Sequence, residues 1–518
     1  MKRIVLLALA LAFVLGFSGQ ALAQGKTFRL ALAGDPEALD PQHLLSGPMV
    51  QYSNIVFDPL IRWTKDMKFE GRLAEKWERI DPLTMRFHLR KGVKFHSGNL
   101  MTARDVKWTI DRAKTSKDFK ALFDVFESPV IVDDHTVDIK TTKPYPLVEN
   151  MATYMFVMDS KFYTGTDEKG QPKDAINKTG YSFANEHESG TGRFTVVSRE
   201  PGVKWVLKRF PDYWEKNAKG NVDQIILTPI KENATRVSAL LSGDVDYISP
   251  VPPQDYERVR SNKDLKLITM ASSRIITFSI NQNKTPALAN LKVRQAILAA
   301  IDNAGIVQKI MNKTTSPSQQ ASPKGFLGYV EGLKPRYNLE KARALMKEAG
   351  FEKGFNLSMI STNDRYTNDE KIAQAVVGML SKINIKVDLK TMPKSQYWDV
   401  FDSCAADLQI VGWHPDTEDS GNYGEYLFMC KNKEKGYGQY NAGYCNPKVD
   451  ELLLAAQAET DKTKRAKILQ EVETITYNDA AFIPLHYEPL AWGTKKNLNT
   501  EEVVNVMDFP HFEKLVIK

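Results

Sequence analysis

Cysteine, low-complexity sequence and long apolar runs are scarce in this chain. Three of its 518 residues are cysteine, and no tract is dominated by one or two residue types. After one apolar run near the beginning there is no second run of that length, so we expect no membrane-spanning helix. Basic and acidic residues are mixed throughout a chain of formal charge +7. That mixing argues against a nucleic-acid partner, which requires clustered Lys and Arg.

Common catalytic and cofactor motifs are also absent from the sequence. It contains no G-x-S-x-G, H-E-x-x-H, C-x-x-C or G-x-x-x-x-G-K-[ST] pattern. His88 and His96 could share a site across a hairpin, but two ordinary strand residues are the favoured interpretation. We therefore predict a protein that is not an enzyme and has neither a cofactor nor a metal site. The alternative is a secreted hydrolase whose catalytic groups lie far apart in the sequence.

The beginning of the chain has the three parts of a secretory signal. Lys2 and Arg3 are followed by an apolar stretch over residues 4–17, too short to span a bilayer core, and then by Ala21-Leu22-Ala23. We predict cleavage after Ala23 and export to the periplasm. No cysteine lies near the cleavage point, so we expect no lipid anchor. An uncleaved leader is the alternative.

Export would place the three cysteines in an oxidising compartment, where two of them can form a disulfide. The favoured pair is Cys430 with Cys445, which closes a loop rich in Lys, Gly, Asn and Tyr. In the chain-entropy model, a bridge over a loop of about 15 residues contributes roughly 3 kcal/mol. Cys404 would then be a buried free thiol. In the alternative, all three cysteines stay reduced.

The hydrophobic pattern divides the chain into two parts of different character. The first part is mostly strands, with alternating runs at 27–33, 85–90, 136–141, 194–197 and 204–208. The second part begins near 275 and contains a strand–helix–strand order at 357–361, 369–382 and 385–390, which is typical of parallel α/β structure. About 495 mature residues exceed one hydrophobic core. We therefore expect an α/β protein with a ligand cleft between two unlike lobes.

Three stretches resemble one known family. They are Leu73–Glu78 with 87–98 and Thr102–Val106, then Gly190–Phe194 with Asp212–Trp214, and finally Gly412–Asp416 with Tyr444–Pro447. Together they resemble the family 5 bacterial extracellular solute-binding proteins, which are peptide- and nickel-type receptors of ABC importers. The third stretch is most similar to dipeptide-binding proteins.

The resemblance implies a periplasmic binding protein-like fold with two lobes, a hinge and an extra small domain. One lobe would comprise 26–60, 186–273 and 484–518. A small β-rich domain at 61–185 would lie on it, and the second lobe would be 274–483. The chain crossings near 275–281 and 483–487 would be hinges, and closure would enclose the ligand.

The resemblance also implies a set of ligand-binding residues. Asp416, after the Gly-Trp pair, matches the aspartate that binds a ligand's α-amine, and Asp419 is a neighbouring candidate. Arg365 is the nearest match to the arginine that binds the α-carboxylate, although it is offset by about one residue. The predicted walls and neighbours of the pocket are Trp413, Tyr366, Tyr423 and His414. Here His414 and Pro415 depart from the family pattern.

The predicted function is capture of a di- or oligopeptide by a monomeric receptor that delivers it to an inner-membrane ABC permease. Opposite charges fixed at the two ends of the ligand would supply affinity. A receptor for a nickel chelate, an opine or an oligosaccharide is the alternative within the same class, and His414 keeps the nickel complex open.

Overall fold

The computed structural model describes residues 25–415 and 417–518. The predicted signal peptide and Asp416 therefore lie outside the described residues. Over the described ranges, no helix is long and apolar enough to cross a membrane.

Strands of three sheets form the framework. They are β1 Thr27–Leu32, β2 Ile61–Trp63, β3 Phe69–Gly71, β4 Ala74–Asp81, β5 Thr84–Leu89, β6 Val130–Asp133, β7 Thr136–Lys140, β8 Phe194–Glu200, β9 Lys204–Arg209, β10 Gln224–Pro229, β11 Tyr247–Ser249, β12 Leu265–Ile280, β13 Asn356–Thr362, β14 Lys386–Met392, β15 Leu408–Trp413 and β16 Phe482–Lys495. The largest sheet has the order β14-β13-β15-β12-β16-β11-β1-β10-β9-β8, and smaller sheets pair β2-β3 and β4-β5-β7-β6. The first part of the chain is thus largely antiparallel, whereas β13 and β14 are parallel as predicted.

Helices cover the faces and ends of these sheets. They are α1 Gly47–Val56, α2 Ala103–Ala113, α3 Lys120–Phe123, α4 Val148–Ala152, α5 Ser160–Tyr163, α6 Phe183–Glu186, α7 Asn233–Ser242, α8 Tyr256–Ser261, α9 Leu291–Ala300, α10 Asn303–Lys309, α11 Leu339–Glu348, α12 Asp369–Ser381, α13 Lys394–Asp402, α14 Ser420–Tyr423, α15 Pro447–Ala458 and α16 Lys462–Asn478. Short 3-10 turns lie at Pro253–Asp255, Pro286–Ala289, Thr500–Glu502 and Phe512–Lys514, and a π turn at Gly424–Phe428.

Local sequence signals set several helix ends. Thr102 and Asp105 form a reciprocal capping box at the start of α2, as predicted. Gly243 ends α7 with φ of 85°, and Gly350 follows α11 with φ of 79°. Both glycines occupy the left-handed conformation that other residues adopt at a cost. In these helices the sequence pattern is sufficient to predict the ends.

Two long strands connect the parts of the large sheet. β12 pairs with β16 along most of its length, and beyond that pair β15 continues the sheet on one side and β11 on the other. The ladder between β12 and β16 is interrupted between Ala271 and Ile275. Sequence reasoning predicted only chain crossings near 275–281 and 483–487, and Pro484 and Pro489 within β16 disfavour a longer strand.

Buried apolar side chains form separate clusters on either side of these strands. One cluster draws mainly on residues between 275 and 487, with Ile297 and Val376 fully buried. A second draws on residues before 228 and on the C-terminal segment, with Trp205 fully buried. A small third cluster lies around Val237. Two main cores are what a chain of this length requires.

The β4–β5 hairpin and the cysteines test two further predictions. Lys91-Gly92, directly after the alternating run at 85–90, predicts a hairpin turn at the end of that strand, and this prediction is wrong. The β4–β5 ladder closes instead at Asp81 and Thr84, and Arg90 continues from β5 by donating to Leu73. The disulfide between Cys430 and Cys445 is confirmed. Cys404 is free as predicted, but it is half-buried rather than buried, because it lies in an exposed turn just after α13.

Asp508 provides a pH-dependent test of this packing. Its carboxylate accepts from Trp492 Nε1 at 2.9 Å and from Gln51 Nε2 at 3.1 Å, and burial raises the pKa of Asp508 to about 6. A raised carboxyl pKa means that the folded state holds a proton which the unfolded state releases, so stability falls as pH rises from about 4 to about 6. We expect Asp508→Asn to remove that part of the slope in chemical denaturation at pH 4, 5, 6 and 7. An unchanged slope would contradict this assignment.

Candidate functional site

Charged residues meet where the β12–β16 ladder is interrupted. Arg274 on β12 lies 3.7 Å from Glu488 on β16, measured from Nε to Oε2. Glu488 also accepts from the backbone N–H of Thr367 at 3.0 Å and from its hydroxyl at 3.2 Å. Burial raises the pKa of Glu488. The two strands that connect the parts of the large sheet, β12 and β16, therefore also carry a pair of opposite charges at the interruption of their ladder.

His414 lies beside this cluster, directly after β15. Burial lowers the pKa of His414 to about 4, and the positive charge of Arg274 contributes to the shift. Its side chain is still 30% exposed, which places it at the boundary between protein and solvent. Its Nε2 lies 3.6 Å from Oε1 of Glu418. At neutral pH the imidazole is uncharged and can donate or accept a hydrogen bond.

Arg365 is half-buried in the loop between β13 and α12. Its Nε donates to the hydroxyl of Tyr366 at 2.9 Å, and its guanidinium lies 5.1 Å from the Tyr366 ring and 5.2 Å from the Trp398 ring. Among the residues with described positions, none is bonded to its two terminal nitrogens. The aromatic contacts orient the guanidinium while its paired donors stay available to a carboxylate.

Tyr366 holds this arrangement against β15. Its hydroxyl accepts from the backbone N–H of Gly412 at 2.9 Å. A Cβ on Gly412 would lie only 2.6 Å from Cε1 of Tyr366, so the close approach requires glycine. Tyr366 is 7% exposed. It therefore positions Arg365 and the end of β15 through internal contacts and offers little exposed surface to a ligand.

Half-buried aromatic rings surround Trp413. Its ring centroid is 4.3 Å from Tyr426 and 4.9 Å from Tyr440, and its Nε1 donates to Asn422 at 2.8 Å. Trp398 lies 5.8 Å from Tyr440 and extends the cluster to Arg365. We call Trp398, Trp413, Tyr426 and Tyr440 the aromatic wall. Such a wall offers apolar area next to a charged donor.

The structure gives Asp419 and Tyr423 other partners. Asp419 caps α14 through Gly421 N at 2.8 Å, and both of its oxygens bind Arg465, at 2.5 and 2.7 Å. Tyr423 is fully buried and donates to the carbonyl oxygen of Ser273 on β12. A ligand contact by Asp419 would require breaking its buried ion pair, which is costly.

The loop that follows Trp413 also touches the small β-rich segment of the first part. Asn150 Nδ2 donates to the carbonyl oxygen of Thr417 at 2.9 Å, and Lys462 forms an ion pair with Glu149 at 2.7 Å. A cavity of about 300 Å³ lies at this junction, with Trp63 on one side and Phe326 on the other. Residues of the first and second parts therefore line one cavity together.

The remaining histidines predicted from sequence do not share a site. His88 lies 3.1 Å from Glu78, whereas His96 is buried between Glu188 at 2.7 Å and the carbonyl oxygen of Gly192. No group of three or more His, Cys, Asp or Glu side chains arranged for a metal ion occurs within residues 25–415 and 417–518.

Several site residues were missed by sequence reasoning. They are Arg274, Thr367, Trp398, Tyr426, Tyr440 and Glu488. No motif marks them, because they come from six separate segments that only the fold brings together. The one available signal was an arginine and a glutamate within the largely apolar strands β12 and β16.

One mixed sheet is shared by two hydrophobic cores, and charged and aromatic side chains lie near the strands β12 and β16 that connect them. This is the architecture of a two-lobed ligand-binding protein. The family model for bacterial extracellular solute-binding proteins, family 5, matches residues 68–435. The chain belongs to that family, and the predicted fold class is confirmed. Its family comprises binding proteins, which supports the prediction that the chain is not an enzyme.

Individual relatives align over nearly the whole chain. The dipeptide-binding protein of Escherichia coli (strain K12) is 26% identical over 550 residues, covering 100% of this chain and 99% of the relative. The glutathione-binding protein GsiB of Salmonella typhimurium is 27% identical over 484 residues, covering 90% of each.

Solved structures show the same fold. HbpA2 from Haemophilus parasuis has a TM-score of 0.82 at 23% identity, covering 95% of this chain and 100% of that one. DppA from Helicobacter pylori in complex with peptide STSA has a TM-score of 0.67 at 23% identity, covering 95% and 98%.

Proposed function

We propose that this protein is the periplasmic receptor of an ABC importer and that it captures a short peptide between its lobes for delivery to the membrane permease. The observation that carries the proposal is the half-buried Arg365, whose terminal nitrogens lack described partners and which lies next to an aromatic wall. The names of relatives support it, since they include a dipeptide-binding protein and a complex with a peptide. We propose that the receptor acts as a monomer.

The ligand's α-carboxylate would bind the fork of Arg365. Two parallel hydrogen bonds from a guanidinium are stronger and more directional than a single point-charge contact. Arg274 adds a second positive charge nearby, 3.7 Å from the Glu488 carboxylate. The cluster therefore favours an anionic group. The aromatic wall would cover an apolar part of the same ligand.

Closure would bring the second lobe onto the ligand by bending at the interrupted ladder. We place the hinge at the crossings of β12 and β16, with lobe I at 26–60, 186–273 and 484–518, the small domain at 61–185 and lobe II at 274–483. Bending is easiest where strand pairing is already broken, between Ala271 and Ile275.

Native mass spectrometry of protein purified from the periplasm tests this function directly. We expect a co-purifying mass in the range of short peptides and saturable binding of synthetic di- and tripeptides in calorimetry. A co-purifying nickel chelate, opine or oligosaccharide would instead establish the alternative receptor class, for which the neutral, half-exposed His414 is the favouring observation. Steady cleavage of the added peptides would overturn the receptor function altogether.

Asp416→Ala tests the amine end of the ligand. The proposed amine–carboxylate contact is charge-assisted, so its loss should weaken binding of a zwitterionic dipeptide by about 2 kcal/mol, roughly 30-fold. Binding of the N-acetylated dipeptide should change much less. Calorimetry with both ligands compares the losses, and Asp399→Ala, exposed on α13, serves as the matched control. Equal losses for the two ligands would reject the amine contact.

A further inference from the structure

The disulfide encloses a loop that reaches back to the aromatic wall. Cys430 and Cys445 are 15 residues apart, and their bond closes the intervening segment, which we call the bridged loop. Tyr440 is the residue of this loop that contacts Trp413, with ring centroids 4.9 Å apart. The same ring lies 5.8 Å from Trp398 and 6.0 Å from Phe401. The covalent tie therefore constrains a segment that packs directly against the candidate ligand site.

Hydrogen bonds align the bridged loop, and Asn432 and Tyr437 exchange two backbone bonds of 3.0 Å at its tip. The N–H of Tyr440 donates to the carbonyl oxygen of Tyr426 at 3.0 Å, and Gly438 donates to Glu425 at 2.9 Å. Asn441 Nδ2 donates to the carbonyl oxygens of Met429 and Tyr444, at 2.9 and 2.6 Å, and so joins the two ends. Residues 431–436 are exposed. The bridge adds a covalent tie to these bonds, to the one from the N–H of Cys430 to Asp450 at 2.9 Å and to the one from the Tyr444 hydroxyl to Asp479 at 2.7 Å.

The ring of Trp413 packs against the core and against both the π turn and the bridged loop. It stands at the end of β15, where its Nε1 donates to Asn422 and its faces meet Tyr426 and Tyr440. Tyr426 precedes the bridged loop by four residues, and the N–H of Tyr440 donates to its carbonyl oxygen at 3.0 Å. Tyr440 is therefore the aromatic neighbour that the bridge constrains, and a ring packed by a constrained neighbour samples fewer orientations.

We propose that the Cys430–Cys445 bridge and Tyr440 are positioning elements of the ligand site, which fix Trp413 in the orientation that receives the ligand. This proposal rests on the proposed function for its effect on binding. It assigns the bridge a consequence beyond stability, since a stabilising bridge elsewhere would raise the melting temperature without changing affinity. It also assigns Tyr440 a contact with Trp413 rather than with the ligand.

Four variants of the full chain separate these effects. Cys430→Ser with Cys445→Ser removes the bridge, and Cys404→Ser, the free cysteine of the same lobe, is its matched control. Tyr440→Ala removes the ring, and Tyr440→Phe keeps the ring and loses only the hydroxyl. Each variant is measured for dipeptide affinity by calorimetry, for melting temperature, and for ligand-free emission of Trp413, obtained by subtracting the spectrum of the same variant carrying Trp413→Phe.

The expected result is about a tenfold loss of affinity for the double-serine variant and for Tyr440→Ala, because the pocket is less pre-organised. Cys404→Ser and Tyr440→Phe should stay within about twofold of the parent protein. The emission of Trp413 should shift in the first two variants and not in the last two. If the double-serine protein does not fold, the comparison of Tyr440→Ala with Tyr440→Phe decides the question.

Two outcomes would overturn the proposal. One is a lower melting temperature with unchanged affinity and unchanged Trp413 emission, which would make the bridge purely stabilising. The other is an equal loss in Tyr440→Phe and Tyr440→Ala, which would place the Tyr440 hydroxyl on the ligand. If the parent protein binds no peptide, the proposed function fails, and the ligand-free emission of Trp413 still accepts or rejects the positioning by itself.

Discussion

Arg365→Ala is expected to weaken binding of a short peptide by about 2–3 kcal/mol, or roughly 30- to 150-fold. The carboxylate would lose a two-pronged contact in a half-buried setting, and the ligand's charge would remain without a partner. The melting temperature of the ligand-free protein should change little, because Arg365 makes no ion pair in the described structure and donates one side-chain hydrogen bond, to Tyr366. Calorimetry and thermal unfolding of the same preparation check both statements.

Matched variants sharpen the result. Arg336 is also half-buried and lies over a tyrosine, 3.5 Å from the Tyr477 ring, but it is far in sequence from the aromatic wall and contacts α16. Arg336→Ala should leave peptide affinity unchanged. Arg365→Lys keeps the charge and loses the planar fork, so it should recover only part of the affinity. Full recovery by lysine would show that charge alone, without bidentate geometry, holds the carboxylate.

Arg465→Met is expected to destabilise the folded protein by about 3–5 kcal/mol. The substitution leaves the carboxylate of Asp419 buried without its cation, since both side chains of the pair are only 4% exposed. Methionine retains most of the apolar stem, so the loss measures charge rather than a cavity. Chemical denaturation monitored by circular dichroism gives the free energy of unfolding.

A double variant that combines Arg465→Met with Asp419→Ala distinguishes a structural ion pair from a ligand contact. Removing both charges should recover much of the lost stability, leaving about 1 kcal/mol for the missing cap of α14. Peptide affinity in the double variant should stay close to that of the parent protein. A double variant as unstable as Arg465→Met alone would contradict the pairing, and a large loss of affinity would return Asp419 to the ligand site.

Elements governed by local rules were predictable from the sequence. The strands at β1 and β5, the capped helix α2 and the parallel β13–β14 unit follow from hydrophobic period and capping residues. The lengths of β12 and β16 were underestimated, since their pairing depends on contacts between residues about 200 positions apart. This pairing overrides the prolines in β16. Local propensity carries no information about such pairing.

The candidate site was predictable only where a resemblance supplied it. Arg365, Trp413 and His414 lie around one region, whereas Asp419 and Tyr423 are committed to internal contacts. The carboxylate of Glu488 and the guanidinium of Arg274 could not be assigned, because their meeting requires two antiparallel strands to be in register. Asp416 remains a prediction.

The interrupted ladder between β12 and β16 has a consequence for communication with the membrane. Two strands that remain paired above and below a short gap resist sliding and twisting apart, so we expect the main movement to be one rotation at the gap. A protein that moves mainly by one rotation has few distinct overall shapes. We expect a permease that docks across both lobes to distinguish a ligand-bound receptor from a ligand-free one by the shape of the receptor alone, without contacting the ligand.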